Sequence, residues 1–168
     1  MRLVTCRIET PIGPLWPLQA PSGLIALCFD HRREAQTASW AKRLGAAQVE
    51  ERSTIPEICD ALGRYFARDW AAFDQLTLAP TGTVFQRHVW QALRTIPPGT
   101  TWSYKTLANA VDRPTAYRAV ANANRQNPLP LIVPCHRVIA ANGRLHGFAG
   151  GLDIKAQLLE LEGAAFRR

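Results

Sequence analysis

What this sequence lacks narrows the field. No apolar run approaches the ~20 residues that a membrane-spanning helix needs. The N-terminus has no charged start, apolar middle and small-residue cleavage site of a secretory signal, so the expected location is the cytoplasm. The 168 residues hold four cysteines without paired spacing, which argues against a disulfide framework and for reduced thiols. Repeats and low-complexity segments are missing, which excludes repeat architectures. Lysine is scarce: seventeen of the twenty basic residues are arginine, the better donor to phosphate and base edges.

Acid is scarce in one half only. Residues 1–80 carry nine Lys/Arg and nine Asp/Glu, whereas residues 81–168 carry eleven against four, so the whole net charge of +7 sits in the second half. A one-sided basic domain suits a polyanion such as nucleic acid, and it equally suits a basic solvated surface. With 47% apolar and 20% charged residues the chain is that of a globular protein, long enough for one ordinary domain or two small ones.

Residues 2–9, RLVTCRIE, alternate in polarity and read as a strand. Turns at Pro11–Pro14 and Pro21–Gly23 separate it from strands at Leu15–Leu18 and in GLIALCFD, a meander. Helices are expected over His31–Leu44 and Pro56–Phe66, the second with Ile58, Leu62, Tyr65 and Phe66 on one stripe and Pro56 in its first turn. Ala71–Gly82 reads as a linker.

Thr83 to Gln86 then makes a capping-box pattern, followed by Phe85, Val89, Leu93 and Ile96 at helical spacing. Ser103 can cap a short helix from Tyr104 to Val111, which breaks at Asp112-Arg113-Pro114 before a helix over Thr115–Gln126. Two short helices joined by a tight break suggest a helix-turn-helix, with Arg118, Asn122 and Arg125 on one polar stripe. A merely solvated face explains that stripe as well. Asn142-Gly143 predicts a hairpin between Arg137–Ala141 and Arg144–Phe148. A last helix from Leu152 to Gly163 places Ile154, Leu158 and Leu161 toward the core.

Chemistry concentrates in LPLIVPCHRVIAANG, Leu129–Gly143. A free cysteine is only a few per cent thiolate at neutral pH, so a reactive Cys135 needs a base. His136 could serve through a water, because adjacent side chains rarely meet. Glu162, an anion at a helix C-terminus where the macrodipole disfavours it, could orient the imidazole. On these residues alone a packing role for Cys135 stays open and is the commoner one. Cys6, Cys28, His31 and His88 contain metal-binding atoms but none of the short paired spacings of zinc sites.

Three collinear blocks, GTVFQRHVWQALRTIPPGTTWSY, YRAVANANRQNPLPLIVPCHRVI and GFAGGLDIKAQLLELEG, closely resemble the O6-alkylguanine-DNA alkyltransferases, with looser likeness in IETPIGPL and GRYFARD. The resemblance implies an α+β protein: a ribonuclease-H-like scaffold with an antiparallel sheet over 1–80, and a mainly helical, winged helix-turn-helix-like domain over 81–168. It implies irreversible, single-turnover transfer of an alkyl group from O6 of guanine, and less efficiently O4 of thymine, in duplex DNA to Cys135. His136 and Glu162 would form a water-linked relay, Asn127 would fix the turn before the cysteine, and Tyr104 would rotate the nucleotide and donate toward the departing base. Arg118 would fill the space of an extruded base. Thr115, Ala116, Tyr117, Ala119, Asn122 and Arg125 would face DNA through the minor groove. Val138, Phe148, Ala149 and Lys155 would line the base pocket.

Departures from the family pattern are Tyr117 in place of a small residue, Ala149 in place of serine and Phe148 in place of tyrosine. Zinc ligands found in some members are not kept, so the expectation is a metal-free, cofactor-free monomer with no membrane partner. A non-catalytic alkylated-DNA binder would lack this cysteine. A helix-turn-helix regulator would leave Cys135, His136 and the glycine loop unused. A cysteine hydrolase would need a breakable thioester, whereas an alkyl thioether is stable.

Overall fold

Three apolar segments at the N-terminus pair as their alternation predicts. In the computed structural model, which describes all 168 residues, β1 (Arg2–Thr5), β2 (Leu15–Ala20) and β3 (Gly23–Phe29) form an antiparallel meander. Gly23 enters β3 at φ +134°, and a Cβ there would come within 2.6 Å of the Thr77 carbonyl oxygen, so only glycine fits. Pro17 lies inside β2 without wasting a ladder bond. Pairing with β1 covers only Leu18 and Gln19 and resumes at the Ile8–Leu15 bridge.

A fourth strand, β4 (Gln48–Glu51), corrects the expected all-antiparallel sheet. It pairs with β1 in parallel and makes the order β3-β2-β1-β4. The cause is the connection: a 3-10 turn at Asp30–Arg32 and helix α1 (Arg33–Arg43) carry the chain across the sheet before it re-enters in the direction of β3. The expected helix from His31 is thus a turn followed by a shorter helix. β4 escaped the sequence reading because its residues, QVEE, are the charged, exposed kind that guard a sheet edge.

The proposed linker over Ala71–Gly82 is also corrected in part. Leu24 N donates to Thr77 O and Ala79 N to Leu24 O, both at 2.9 Å, so the segment covers the outer edge of β3. All seven β3 residues are buried as a result. Leu3, Trp16, Leu18, Ile25 and Trp40 of α1 share one core cluster, each large side chain contributing about 1.5–3 kcal/mol on burial. Helix α2 (Pro56–Phe66) has the bounds read from sequence and buries Ile58, Ala61, Leu62 and Tyr65.

Residues 81–168 build a second assembly. Thr83 caps α3 (Val84–Leu93) with a reciprocal capping box to Gln86. Ser103 accepts from Thr106 N at the start of α4 (Tyr104–Ala110). The break that follows places Asp112 at φ +55°, and α5 (Tyr117–Arg125) begins two residues later than expected. Val120, Ala123 and Asn124 face inward, and Trp90 Nε1 ties α3 to α5 through Ala123 O at 2.8 Å.

The hairpin at Asn142-Gly143 does not form. Its turn exists, with Gly143 N donating to Ala140 O at 2.9 Å. The strand before it, β6 (Val138–Ile139), instead pairs in parallel with β5 (Trp102–Ser103). Helix α6 (Leu152–Leu161) is rotated from the expected face: Lys155, Ala156, Leu158 and Leu159 are buried, while Ile154 and Leu161 are half-buried. The chain thus divides into two compact units, Met1–Pro80 and Thr81–Arg168, and belongs to the α+β class.

Candidate active site

Between α5 and β6 the backbone is held in a shape it would not adopt freely. Asn127 does most of the holding: its Nδ2 donates to Val133 O at 2.7 Å and its Oδ1 accepts from Leu129 N at 2.9 Å. Within that loop Leu131 sits at φ +73°, a conformation costing a non-glycine residue roughly 1–2 kcal/mol. Pro134, at φ −80° and ψ 65°, centres an inverse γ-turn closed by Cys135 N to Val133 O at 2.8 Å. A 3-10 turn, Cys135–Arg137, then presents three consecutive buried side chains.

Those side chains converge on Glu162 at the end of α6. His136 Nε2 lies 2.8 Å from Glu162 Oε1. Arg137 donates from Nε to Oε2 at 2.9 Å and from Nη2 to Oε1 at 2.8 Å, while its Nη1 reaches Ile96 O at 2.6 Å. Burial pushes the Glu162 carboxyl up, but the His136 and Arg137 contacts outweigh it and hold it at about 2. Glu162 is therefore an anion that can only accept, so His136 Nε2 carries the proton. Burial pulls His136 down from its ordinary pKa against the pull of Glu162. The neutral ring leaves Nδ1 as a bare acceptor, and no side chain or backbone group of the protein engages it.

Cys135 is 8% exposed. Burial raises its thiol pKa, while the Asn127 amide and the Lys155 charge pull it back. It rests as a protonated thiol beside a base. Tyr104 stands close by: burial and the nearby cysteine raise its hydroxyl pKa and keep it a donor. Its ring meets His146 edge-on at 5.9 Å. The Phe148 ring crosses that of His136 at 6.5 Å and 75°.

Lys155 is fully buried, with Nζ donating to Val138 O at 2.7 Å, His146 O at 2.8 Å and Gly147 O at 3.3 Å. Burial lowers it to about 8. Val138 is itself wholly buried and its carbonyl is committed to Lys155, so it braces the loop. Phe148 and Ala149 are half-buried in that loop.

The structure thus gathers Cys135, His136, Glu162, Asn127, Tyr104, Val138, Phe148 and Lys155. It keeps Thr115, Ala116, Tyr117, Arg118, Ala119, Asn122 and Arg125 apart, at the start and along the outer face of α5, all exposed except half-buried Ala116. No group of three or more His, Cys, Asp or Glu side chains is placed to hold a metal ion. Sequence reasoning missed Arg137, although it directly follows His136 in the quoted motif. A buried arginine needs an anion, and Glu162 was already in view.

Fold and site together define an α+β protein in which a masked thiol, backed by a neutral histidine and a fixed carboxylate, sits behind an arginine-bearing helix. A family profile described as "6-O-methylguanine DNA methyltransferase, DNA binding domain" matches residues 84–164. The methylated-DNA–protein-cysteine methyltransferase of Methanosarcina barkeri is 44% identical over 157 residues, covering 92% of this chain and 94% of its own. That of Salmonella typhimurium is 42% identical over 166 residues, covering 97% of each. Among solved structures, the O6-methylguanine methyltransferase of Mycobacterium tuberculosis superposes with a TM-score of 0.79 at 37% identity, covering 96% of this chain and 93% of the other. The OGT of that organism in complex with DNA gives 0.78 at 36%, covering 95% and 92%. The chain belongs to the methylated-DNA–protein-cysteine methyltransferase family.

Proposed function

We propose that this protein repairs DNA by direct reversal, moving the methyl group of O6-methylguanine irreversibly onto its own Cys135. The observation that carries this reading is the buried His136–Glu162 pair behind the thiol, with the proton fixed on Nε2 and Nδ1 left as acceptor. A water joins Cys135 Sγ to His136 Nδ1 and passes the thiol proton to the imidazole, whose new charge stays paired with Glu162. The thiolate attacks the methyl carbon in line with the bond to oxygen. The S–C bond forms as the C–O bond breaks, and the electron pair leaves with guanine, toward which the Tyr104 hydroxyl donates. The thioether does not hydrolyse, so each chain acts once.

O6 of guanine is stacked and paired in duplex DNA, so the base must be extruded at a cost of a few kcal/mol. Arg118 on α5 fills the vacated space, and the small Ala116 and Ala119 permit approach along the minor groove. Thr115, Tyr117, Asn122 and Arg125 face the sugar-phosphate backbone, with affinity falling as salt rises. Phe148, Ala149 and the loop braced by Lys155 receive the flipped base. In this reading residues 81–168 form a winged helix-turn-helix-like catalytic domain and residues 1–80 a ribonuclease-H-like scaffold. The protein acts as a cytoplasmic monomer and accepts O4-alkylthymine less efficiently.

Intact-mass spectrometry after mixing with a duplex containing O6-methylguanine tests the assignment. The expected result is one added methyl per chain, mapped to the peptide that contains Cys135, with turnover ending at one equivalent. Cys135→Ser is expected to abolish transfer and to keep duplex binding. A methyl on another residue, or several equivalents turned over, would overturn it.

A further inference from the structure

Two thiols outside this site lie against each other. Cys6 directly follows β1, and Arg52 N donates to Thr5 O at 2.8 Å, which extends the β1–β4 pairing and lays residues 52–55 beside it. The Cys6 thiol interacts with the Ile55 backbone and with the Cys59 thiol. Cys59 sits in the first turn and a bit of α2, its amide bonded to Ile55 O at 3.0 Å and its sulfur 3.3 Å from Thr54 Oγ1. Cys6 is fully buried, whereas Cys59 is half-buried and reachable by a small solute. Nothing in the alkyl-transfer chemistry uses this pair.

We propose that Cys6 and Cys59 are a peroxide-oxidisable dithiol that closes a disulfide within residues 1–80. Cys59, the reachable member, attacks one oxygen of hydrogen peroxide as its thiolate and becomes a sulfenic acid, releasing hydroxide that is protonated to water. Cys6 then attacks the Cys59 sulfur; the S–S bond forms, the S–O bond breaks, and the leaving hydroxide takes the Cys6 proton. Two thiols are oxidised and one peroxide is reduced to two waters. The two thiols already interact, and closure asks the sulfurs to approach to a bond of about 2.05 Å. Cys135 is buried whereas Cys59 is half-buried, so the first equivalent of oxidant goes to Cys59 and the alkyl acceptor survives.

Peroxide treatment of the full-length protein without DNA, followed by blocking of free thiols and tryptic mapping, tests this. The expected product has lost two hydrogens, joins peptide 3–7 to peptide 53–64, and returns to the dithiol with dithiothreitol. Its thermal midpoint should rise by about 10 °C, as expected for closing a loop of this length. Cys59→Ser should show neither the crosslink nor the rise, with Cys6 left free. Methyl transfer after one equivalent of peroxide should match the untreated protein. A crosslink involving Cys135, a Cys59 sulfinic acid beside a free Cys6, or loss of methyl acceptance at one equivalent would overturn the proposal. The crosslink is read without DNA, so its failure is separable from failure of methyl transfer itself.

Discussion

His136 and Glu162 meet at 2.8 Å with neither side chain exposed to solvent. The pair fixes the imidazole tautomer, and it makes folding sensitive to acid. Both groups have folded pKa values below their ordinary ones: Glu162 at about 2 against 4.5, and His136 moved down from 6.5 by burial. At low pH the unfolded chain therefore binds more protons than the folded one. The stability is present above the ordinary values and lost as pH falls, first below 6.5 as unfolded His136 charges, then between 4.5 and about 2 as unfolded Glu162 protonates. Urea midpoints should fall from neutral pH to about pH 5 and further toward about pH 3. A midpoint unchanged across that span would show that the pair does not carry its assigned ionisation.

Arg137 should matter as much as the residues it supports. Its guanidinium spans both Glu162 oxygens and Ile96 O, a fork that a lysine cannot reproduce. Arg137→Met leaves a buried carboxylate with one partner fewer and is expected to destabilise by about 3–5 kcal/mol. Arg137→Lys should fold and transfer methyl roughly ten-fold more slowly, because the carboxylate and hence the imidazole lose orientation. In a double-mutant cycle, Arg137→Met with Glu162→Gln should cost less than the sum of the two changes. Additive costs in urea unfolding would mean that the two side chains act independently.

How far the sequence revealed this arrangement depended on which force set each part. Local rules were legible: Pro56 starting α2, the Thr83–Gln86 capping box, Ser103 before α4. Each is decided within four residues by a cap or a fixed backbone angle. β4 was not legible, because an exposed charged edge strand is specified by its partner β1 and not by its own apolar pattern. The tight turn at Asn142-Gly143 was real, yet β6 found β5 instead of its sequence neighbour. Lys155 misled the α6 face, since a buried ammonium is tolerated only where three carbonyls converge on it. Cys135, His136 and Glu162 were readable through family likeness, while their hydrogen bonds are a tertiary fact.

Lys155 supplies a separate test. With all three of its bonds directed at Val138, His146 and Gly147, it joins α6 to β6 and to the loop that carries Phe148. Lys155→Met removes the ammonium's burial cost but strands those carbonyls, for a net loss of about 1–3 kcal/mol. Hydrogen exchange should quicken in residues 146–151 before it quickens in α3. Methyl transfer should weaken through substrate affinity, as the loop loosens, and through the rate at saturation, as the Cys135 thiol loses the charge that favours its ionisation. Unchanged protection in that loop would remove the bracing role.

Arg118 and Arg125 share the outer face of α5, and they should fail differently. Arg125 already holds Asn122 Oδ1 at 3.0 Å and sits in the last turn of the helix, which suits a backbone contact. Its replacement by alanine should weaken duplex binding for any sequence and reduce the slope of log affinity against log salt by about 1. Arg118→Ala removes the group proposed to occupy the extruded base's place, so transfer from duplex should slow by at least about ten-fold while reaction with free O6-methylguanine is little changed. Both variants lie on an exposed face, and their stability should stay within about 0.5 kcal/mol of the parent. Comparing the two substrates therefore separates extrusion from chemistry: equal loss on duplex and free base would move Arg118 out of the extrusion step and into the thiol's own environment.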